Sequence, residues 1–296
     1  MKQHSVIIGT GGRLGSALLT ACDPHHRVTA LSRKELDLTS LSAIRTVLGE
    51  LEYDTLWLSA AITDVDFCET HPEVAAAVNT AAIKEIARIS AEKAAKVVFF
   101  STDYVFDGQK GELYEEEDEA LPVNVYGRTK LSAERHVLAA DDKNLVVRLS
   151  KLFGPQKLSF PDWVVRQAIE KDSFSLVEDH FSSPTYTEDV VAALLPLIKG
   201  ETSWSGILHL CNSGVCSWLE WGQYCLDRLA LEGLSFRVKE IDACLMSDIK
   251  SFIAQRPAYS AMSNARYHKL SDQVMPSWQN AVDRYVVDYL APRLKK

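Results

Sequence analysis

The chain lacks any apolar run long enough to span a bilayer, and its polar start, Met1-Lys2-Gln3-His4, leads straight into a strand pattern with no leader-like apolar segment. A cytoplasmic protein is expected. Its six cysteines, Cys22, Cys68, Cys211, Cys216, Cys225 and Cys244, include no CxxC pair and none at zinc-ligand spacing from a histidine. They are expected to be reduced packing residues. There is no HExxH pattern, so no metal ligands are expected, and His25-His26, in a turn beside Pro24, is expected at the surface. Basic excess is missing too: the formal net charge of -8 argues against nucleic-acid or anionic-membrane partners. Much of that acidity lies in Glu115-Glu116-Glu117-Asp118-Glu119, expected as a solvated loop. Repeats, low-complexity tracts and long linkers are absent.

What is present is enough apolar residue for a large core. With 296 residues, 47% of them hydrophobic, the chain suits one large domain or a domain with a smaller lobe. Ser5-Val6-Ile7-Ile8 reads as a strand, Gly9-Thr10-Gly11-Gly12-Arg13-Leu14-Gly15 as a glycine turn, and Ser16 to Ala21 as the helix it opens. Such a turn lets backbone approach a pyrophosphate and aims a helix N-terminus at its charge. Gly9, Gly12, Arg13 and Leu14 are the cofactor contacts expected from it. The spacing, Gly9-x-x-Gly12-x-x-Gly15, is looser than GxGxxG.

The second strand, Arg27 to Leu31, ends at Ser32-Arg33, where an NAD-binding chain would usually carry an acid for the ribose 2'-hydroxyl. None is there. Arg33, helped by Arg13, suits a 2'-phosphate, so NADP(H) is the preferred cofactor and NAD(H) the second candidate. Asp37-Leu38 lies where an extended segment would pass the adenine, or where Thr39 or Ser40 caps the next helix. The strand Thr55 to Ala61 ends in Ala60 and Ala61, small enough to leave room for a cofactor, and the helix begun by Pro72 returns to the sheet at Val97 to Ser101. Four rounds of strand and helix imply an α/β fold, a Rossmann-type doubly wound parallel sheet. Ligands bind at the carboxyl ends of such strands, where Gly9, Ala60, Ser101 and Thr102 stand.

Tyr126 and Lys130 follow at helical spacing, so a phenol and an ammonium share one helix face near the strand end carrying Thr102. The ammonium is expected to lower the phenol pKa toward neutrality. Tyr126 then protonates a carbonyl oxygen as hydride arrives, while Thr102 holds that oxygen by hydrogen bond.

After the strand Asn144 to Leu149 and the turn Gly154-Pro155, the rhythm loosens. Trp163 to Ile169 reads as helix, Phe174 to Val177 as extended, Thr187 as the cap of a helix reaching Ile198, and Ile207 to Leu210 as a buried strand. Trp218 to Leu231 is amphipathic, and Trp218, Trp221 and Tyr224 are expected in its core face. A final helix runs from Trp278 to Leu290. Residues 1–155 are expected to form the NADP(H)-binding Rossmann domain, with its sheet completed by segments around 174–212, and residues 156–296 mainly a substrate lobe.

Three blocks, the glycine turn, Ser101-Thr102-Asp103-Tyr104-Val105-Phe106-Asp107-Gly108 and Pro122-Val123-Asn124-Val125-Tyr126-Gly127-Arg128-Thr129-Lys130, closely resemble the extended short-chain dehydrogenase/reductases. The resemblance continues through Asp179 to Thr185, Arg256-Pro257 and Pro276 to Gln279, nearly the whole chain. It implies NADPH-dependent reduction of a 4-keto nucleotide sugar by Thr102, Tyr126 and Lys130, with Lys130 also binding the nicotinamide ribose. Asp103, Tyr104 and Asn124 would lie close to the sugar, and Arg256 would pair with the nucleotide diphosphate or form a structural salt bridge. One departure matters: where the family commonly reads Arg-Thr-Ser-Trp and the tryptophan lines the sugar pocket, this chain reads Arg148-Leu149-Ser150-Lys151. Lys151 either selects a more polar or anionic substrate or points to solvent. The resemblance also admits a nucleotide-sugar epimerase, or a regulatory subunit that binds NADP without turnover; Tyr104, standing where dehydratases carry glutamate, disfavours a dehydratase. A monomer or homodimer is expected.

Overall fold

A computed structural model describes residues 3–295. Five strands and their helices alternate in the first half: β1 His4–Ile8, α1 Arg13–Cys22, β2 Arg27–Leu31, α2 Leu41–Gly49, β3 Thr55–Leu58, then α3 Val65–Thr70 and α4 Pro72–Ala76, α5 Ala82–Glu92, β4 Lys96–Thr102, α6 Val125–Ala140 and β5 Leu145–Leu149. The strand Gly206–His209 joins them from the second half. All six pair in parallel, in the order Gly206–His209, β5, β4, β3, β1, β2. After β2 the chain crosses to the far side of β1 to begin β3. That switch opens a crevice at the carboxyl ends of β1 and β3.

Both faces of the sheet are covered over its inner strands, which is why Val6–Ile8 of β1, Leu56–Leu58 of β3 and Val97–Phe100 of β4 are continuous apolar runs. Side chains alternate between them: Val97 and Phe99 pack with α2 and α5 on one face, Val98 and Phe100 with α1 and the helix Thr187–Ile198 on the other. Val6 and Ile8 join the first layer, and Ile7 and Trp57 the second.

Within the stretch 174–212 only Gly206–His209 enters this sheet. Ser175–Val177 pairs instead with Asp242–Cys244, outside it. Two further helices, Phe160–Glu170 and Trp218–Leu231, pack near that ribbon, and a second aromatic core gathers Phe153, Tyr186, Trp221 and Tyr285. The helix Thr187–Ile198 lies on the Rossmann layer, so the second half of the chain contributes to both bodies. Its cap is Tyr186, not Thr187; the Thr187 hydroxyl donates to the Phe153 carbonyl at 2.9 Å.

Two surface expectations are corrected by long-range contacts. His26 is buried at 7% exposure, bridging Ser5 and the Ile198 carbonyl. Glu116, also at 7% exposure, leaves the solvated loop and accepts from the His209 backbone N–H at 2.9 Å. A buried peptide donor needs an acceptor, and local sequence does not reveal which loop supplies it.

Candidate active site

The glycine turn is built for close approach. Gly12 caps α1, Gly9 adopts φ +98°, and a Cβ on Gly15 would lie 2.2 Å from the Gly9 carbonyl oxygen. Any side chain at Gly15 would push α1 off the turn. A second close approach sets the depth of α6: a Cβ on Gly127 would lie 2.1 Å from the Tyr104 carbonyl oxygen. Tyr126 thereby reaches the end of β4, its ring edge-on to Tyr104 with centroids 5.9 Å apart.

Between these elements lies a cavity of about 870 Å³. Gly9, Gly12, Arg13, Leu14, Ser32, Arg33, Asp37, Leu38, Ala60, Ala61 and Ser101 line it, and so do Thr102, Asp103, Tyr104, Tyr126, Lys130 and Lys151. Asn124 and Arg256 do not. Asn124 is the N-cap of α6, accepting from the Gly127 N–H at 2.8 Å while its amide donates to the Gln255 carbonyl at 2.8 Å. Arg256 forks onto Asp66 at 2.7 and 3.2 Å, with its guanidinium over the Phe252 ring. Both therefore hold the segment 252–256 across α3 and α6. Helix α3 itself has no counterpart among the helices read from the sequence. It brings Val65 and Phe67 to the cavity, and its signal was the Asp64 N-cap, which accepts from the Phe67 N–H at 2.9 Å.

Asp66 also accepts the amides of Ile253 and Ala254, and hydrogen bonding from Arg256 holds its carboxyl down to about 2. A depressed carboxylate stabilises the fold above its ordinary value of 3.8, and that contribution is lost as pH falls toward about 2. Asp66→Ala is expected to speed hydrogen exchange at Ile253 and Ala254 about tenfold or more, as measured by mass spectrometry at neutral pH.

At the carboxyl end of β4 three buried groups, Tyr126, Lys130 and Asp103, meet. Burial pushes the Tyr126 phenol well above its ordinary range, with hydrogen bonding from Thr102 acting the other way. The expected lowering by Lys130 is not found: the Lys130 ammonium donates to the Phe100 carbonyl at 2.7 Å and stands 4.0 Å over the Phe99 ring. Desolvation instead lowers Lys130 to about 7, with the Glu134 charge one turn along α6 opposing it. Asp103 is buried, and three hydroxyls donate to it, Thr102 at 3.0 Å, Ser150 at 2.8 Å and Ser260 at 2.6 Å. Burial pushes its carboxyl up against the pull of Lys151 and those donors.

One helix distortion also serves the site. Residues Ala77–Ala81 form a π-turn between α4 and α5. Its Asn79 side chain accepts from the Ile62 N–H at 2.9 Å and donates to the Ile62 carbonyl at 3.0 Å. The backbone leaving β3, which lines the cavity, is fixed by that pair.

The cavity fits a dinucleotide. Gly9 and Gly15 leave a backbone cradle that a Cβ would fill, and the Ser101 hydroxyl and Arg13 Nε are buried without a partner among the described residues. Ser32 and Arg33 stand at the end of β2, where the Glu35 carboxylate accepts from the Ser32 amide at 2.9 Å and from its hydroxyl. No group of carboxylates, histidines and cysteines among the described residues could hold a metal ion. No helix among them is long and apolar enough to cross a membrane.

A doubly wound parallel sheet with tyrosine, lysine and threonine gathered at its carboxyl end defines an extended short-chain dehydrogenase/reductase. Within that class the chain belongs to the family described as RmlD substrate binding domain, which matches residues 3–291. It is 35% identical over 285 residues to a dTDP-4-dehydrorhamnose reductase of Mycolicibacterium smegmatis, covering 95% of this chain and 84% of that protein. The enzyme of the same name from Salmonella typhimurium is 28% identical over 290 residues, covering 96% of this chain and 97% of that one. Among solved structures, dTDP-4-dehydrorhamnose reductase from Bacillus anthracis in complex with NADP superposes with a TM-score of 0.90 at 29% identity, covering 97% of this chain and all of that one.

Proposed function

We propose that this chain is an NADPH-dependent reductase of a dTDP-linked 4-keto sugar, dTDP-4-dehydrorhamnose, with Tyr126 as proton donor. The observation that carries the reading is the meeting of Thr102, Tyr126 and Lys130 in the same cavity as the glycine cradle and the unpartnered Ser101 hydroxyl. The dinucleotide would be held by the Gly9 to Leu14 turn, Ser32, Arg33, Ser101 and Lys130, and when bound it supplies the hydride.

The chain's own part is proton transfer and charge stabilisation. The phenol of Tyr126, held above its ordinary pKa by burial, remains protonated through the neutral range and releases its proton only to an oxygen that is becoming an alkoxide. Carbonyl thereby becomes alcohol. Thr102 can point its hydroxyl hydrogen at that oxygen by letting go of Asp103, which Ser150 and Ser260 continue to hold. Lys130, fixed by the Phe100 carbonyl, keeps further N–H donors for a ribose hydroxyl.

The test is to mix the protein with NADPH, or separately NADH, and dTDP-4-dehydrorhamnose and follow loss of reduced-nicotinamide absorbance. Oxidation dependent on the sugar supports the reading. Cofactor binding without oxidation sinks it.

Lys130 gives this site a pH dependence. Its ammonium loses its proton as pH rises through about 7, well below its ordinary 10.5. NADPH affinity, titrated by fluorescence from pH 6 to 9, is expected to weaken across that midpoint by about tenfold, and Lys130→Met should remove the trend. The stability effect has the opposite sign. Between about 7 and 10.5 the unfolded chain binds the proton that the folded one has lost, so the desolvation penalty present at lower pH is relieved as pH rises.

A further inference from the structure

We propose that Lys151 is an anion-recognition residue of the substrate pocket, pairing with an anionic oxygen of the nucleotide sugar on its diphosphate or on a sugar carboxylate. This deepens the reductase reading and rests on it for the identity of the substrate.

The backbone at Lys151 is held in an unusual conformation. Lys151 sits in the left-handed region at φ +43°, an uncommon conformation for a residue with a side chain. It is pinned there because its carbonyl accepts from the Thr185 N–H at 3.2 Å, beside the short parallel pair of Leu152–Phe153 with Thr185–Tyr186. Strained geometry of this kind persists where the surrounding structure over-determines it, and it clusters at functional sites.

The side chain is equally constrained. Its ammonium donates to the Tyr104 hydroxyl at 3.1 Å and lies 4.3 Å from the Trp218 ring centroid and 5.1 Å from that of Tyr104. Trp218, expected in the core face of its helix, is half-buried between Phe160, Phe252 and the Lys151 ammonium, while Trp221 fills the core. Two ring faces and a phenol hold a cation in position without neutralising it. Among the described residues Lys151 forms no ion pair, and the nearby Asp103 carboxyl is held by Thr102, Ser150 and Ser260.

The other cations in the cavity are differently engaged. Arg13 donates to the carbonyls of Leu152, Lys157 and Leu158, Lys130 donates to that of Phe100, Arg33 stands at the end of β2, and Lys157, which also lines the cavity, is exposed to solvent. Lys151 is half-buried and next to Tyr104, whose ring contacts Tyr126, so its charge is presented at the reacting end of the pocket. A partly desolvated ammonium with unused donors is stabilised by an anion and discriminates against ligands without one.

The test compares wild type, Lys151→Met and Lys151→Arg in the full-length protein. Calorimetric affinities are measured for dTDP, for dTDP-4-dehydrorhamnose and for a dTDP-linked hexuronate, with NADPH affinity as the folding check. If the partner is the diphosphate, Lys151→Met weakens all three ligands about 10- to 100-fold; if it is a sugar carboxylate, only the hexuronate is weakened. In either case NADPH binding is unchanged and Lys151→Arg retains most of the affinity. Affinities within about twofold of wild type for every ligand overturn the proposal, as do equal losses in the Met and Arg variants, which would mark a packing role. Binding is read without turnover. Failure of the reductase reading would therefore appear as absent NADPH oxidation in wild type and not in these affinities.

Discussion

Tyr126→Phe is expected to lower turnover of dTDP-4-dehydrorhamnose about 100- to 10,000-fold, the range over which a positioned general acid contributes, while NADPH affinity stays near wild type. The substitution removes one hydroxyl from a buried ring that packs against Cys68, Ala75 and Tyr104, so the local fold has little reason to change. What disappears is the proton. Burial holds the phenol above its ordinary pKa, and this makes it a stronger base once ionised and keeps it a loaded acid beforehand. The measurement is single-turnover NADPH oxidation with saturating sugar, paired with a cofactor titration. A variant that retains turnover within about tenfold would mean that another group, such as a water held by Thr102, delivers the proton.

The second large effect is on stability. Glu134→Ala is expected to destabilise the protein by about 3–5 kcal/mol and to lower its melting temperature by roughly 10 °C. Glu134 and Arg148 are 1% and 2% exposed and joined by hydrogen bonds of 2.7, 3.0 and 3.2 Å. They tie α6, which carries Tyr126 and Lys130, to β5. Removing the carboxylate leaves a guanidinium in the interior with the His209 ring nitrogen at 3.5 Å and the Phe106 ring for company. Desolvation keeps His209 neutral, pushing it down to about 3, so it adds no second charge. The double variant Glu134→Leu with Arg148→Met should recover most of the loss, because an apolar pair leaves no uncompensated charge. Thermal unfolding of both variants separates a buried-charge effect from simple loss of packing. There is also a functional reading: Glu134 props up the Lys130 pKa, so its loss should move the midpoint of the NADPH-binding profile to lower pH.

Where an interaction is local in the chain, the sequence was a sufficient guide. Tyr126 and Lys130 stand one turn apart on α6, Gly9 to Gly15 turn into α1, and the strands with both faces buried are the uninterrupted apolar runs. Periodicity and steric room act over a few residues, so they can be read in one dimension. The roles of Asn124 and Arg256 were not legible in the same way. A resemblance put Asn124 beside the sugar and left Arg256 between the nucleotide diphosphate and a structural salt bridge; Gln255 and Asp66, each more than a hundred positions from its partner, hold Asn124 at a helix cap and Arg256 in the salt bridge.

Electrostatics was decided entirely by the tertiary structure. Spacing alone predicts that an ammonium one turn from a phenol lowers its pKa, but the Lys130 ammonium is drawn to the Phe100 carbonyl and desolvation then governs both groups. Lys151 shows the same division. The sequence left it open between the substrate pocket and solvent, and only folding brought Tyr104 and Trp218 around it from 47 and 67 positions away to fix where that charge is presented. The sequence by itself determined the strands, the glycine turn and the sharing of one helix face by Tyr126 and Lys130, because those follow from local geometry; burial and long-range partners, which set the charge and direction of each group, exist only once the chain has closed on itself.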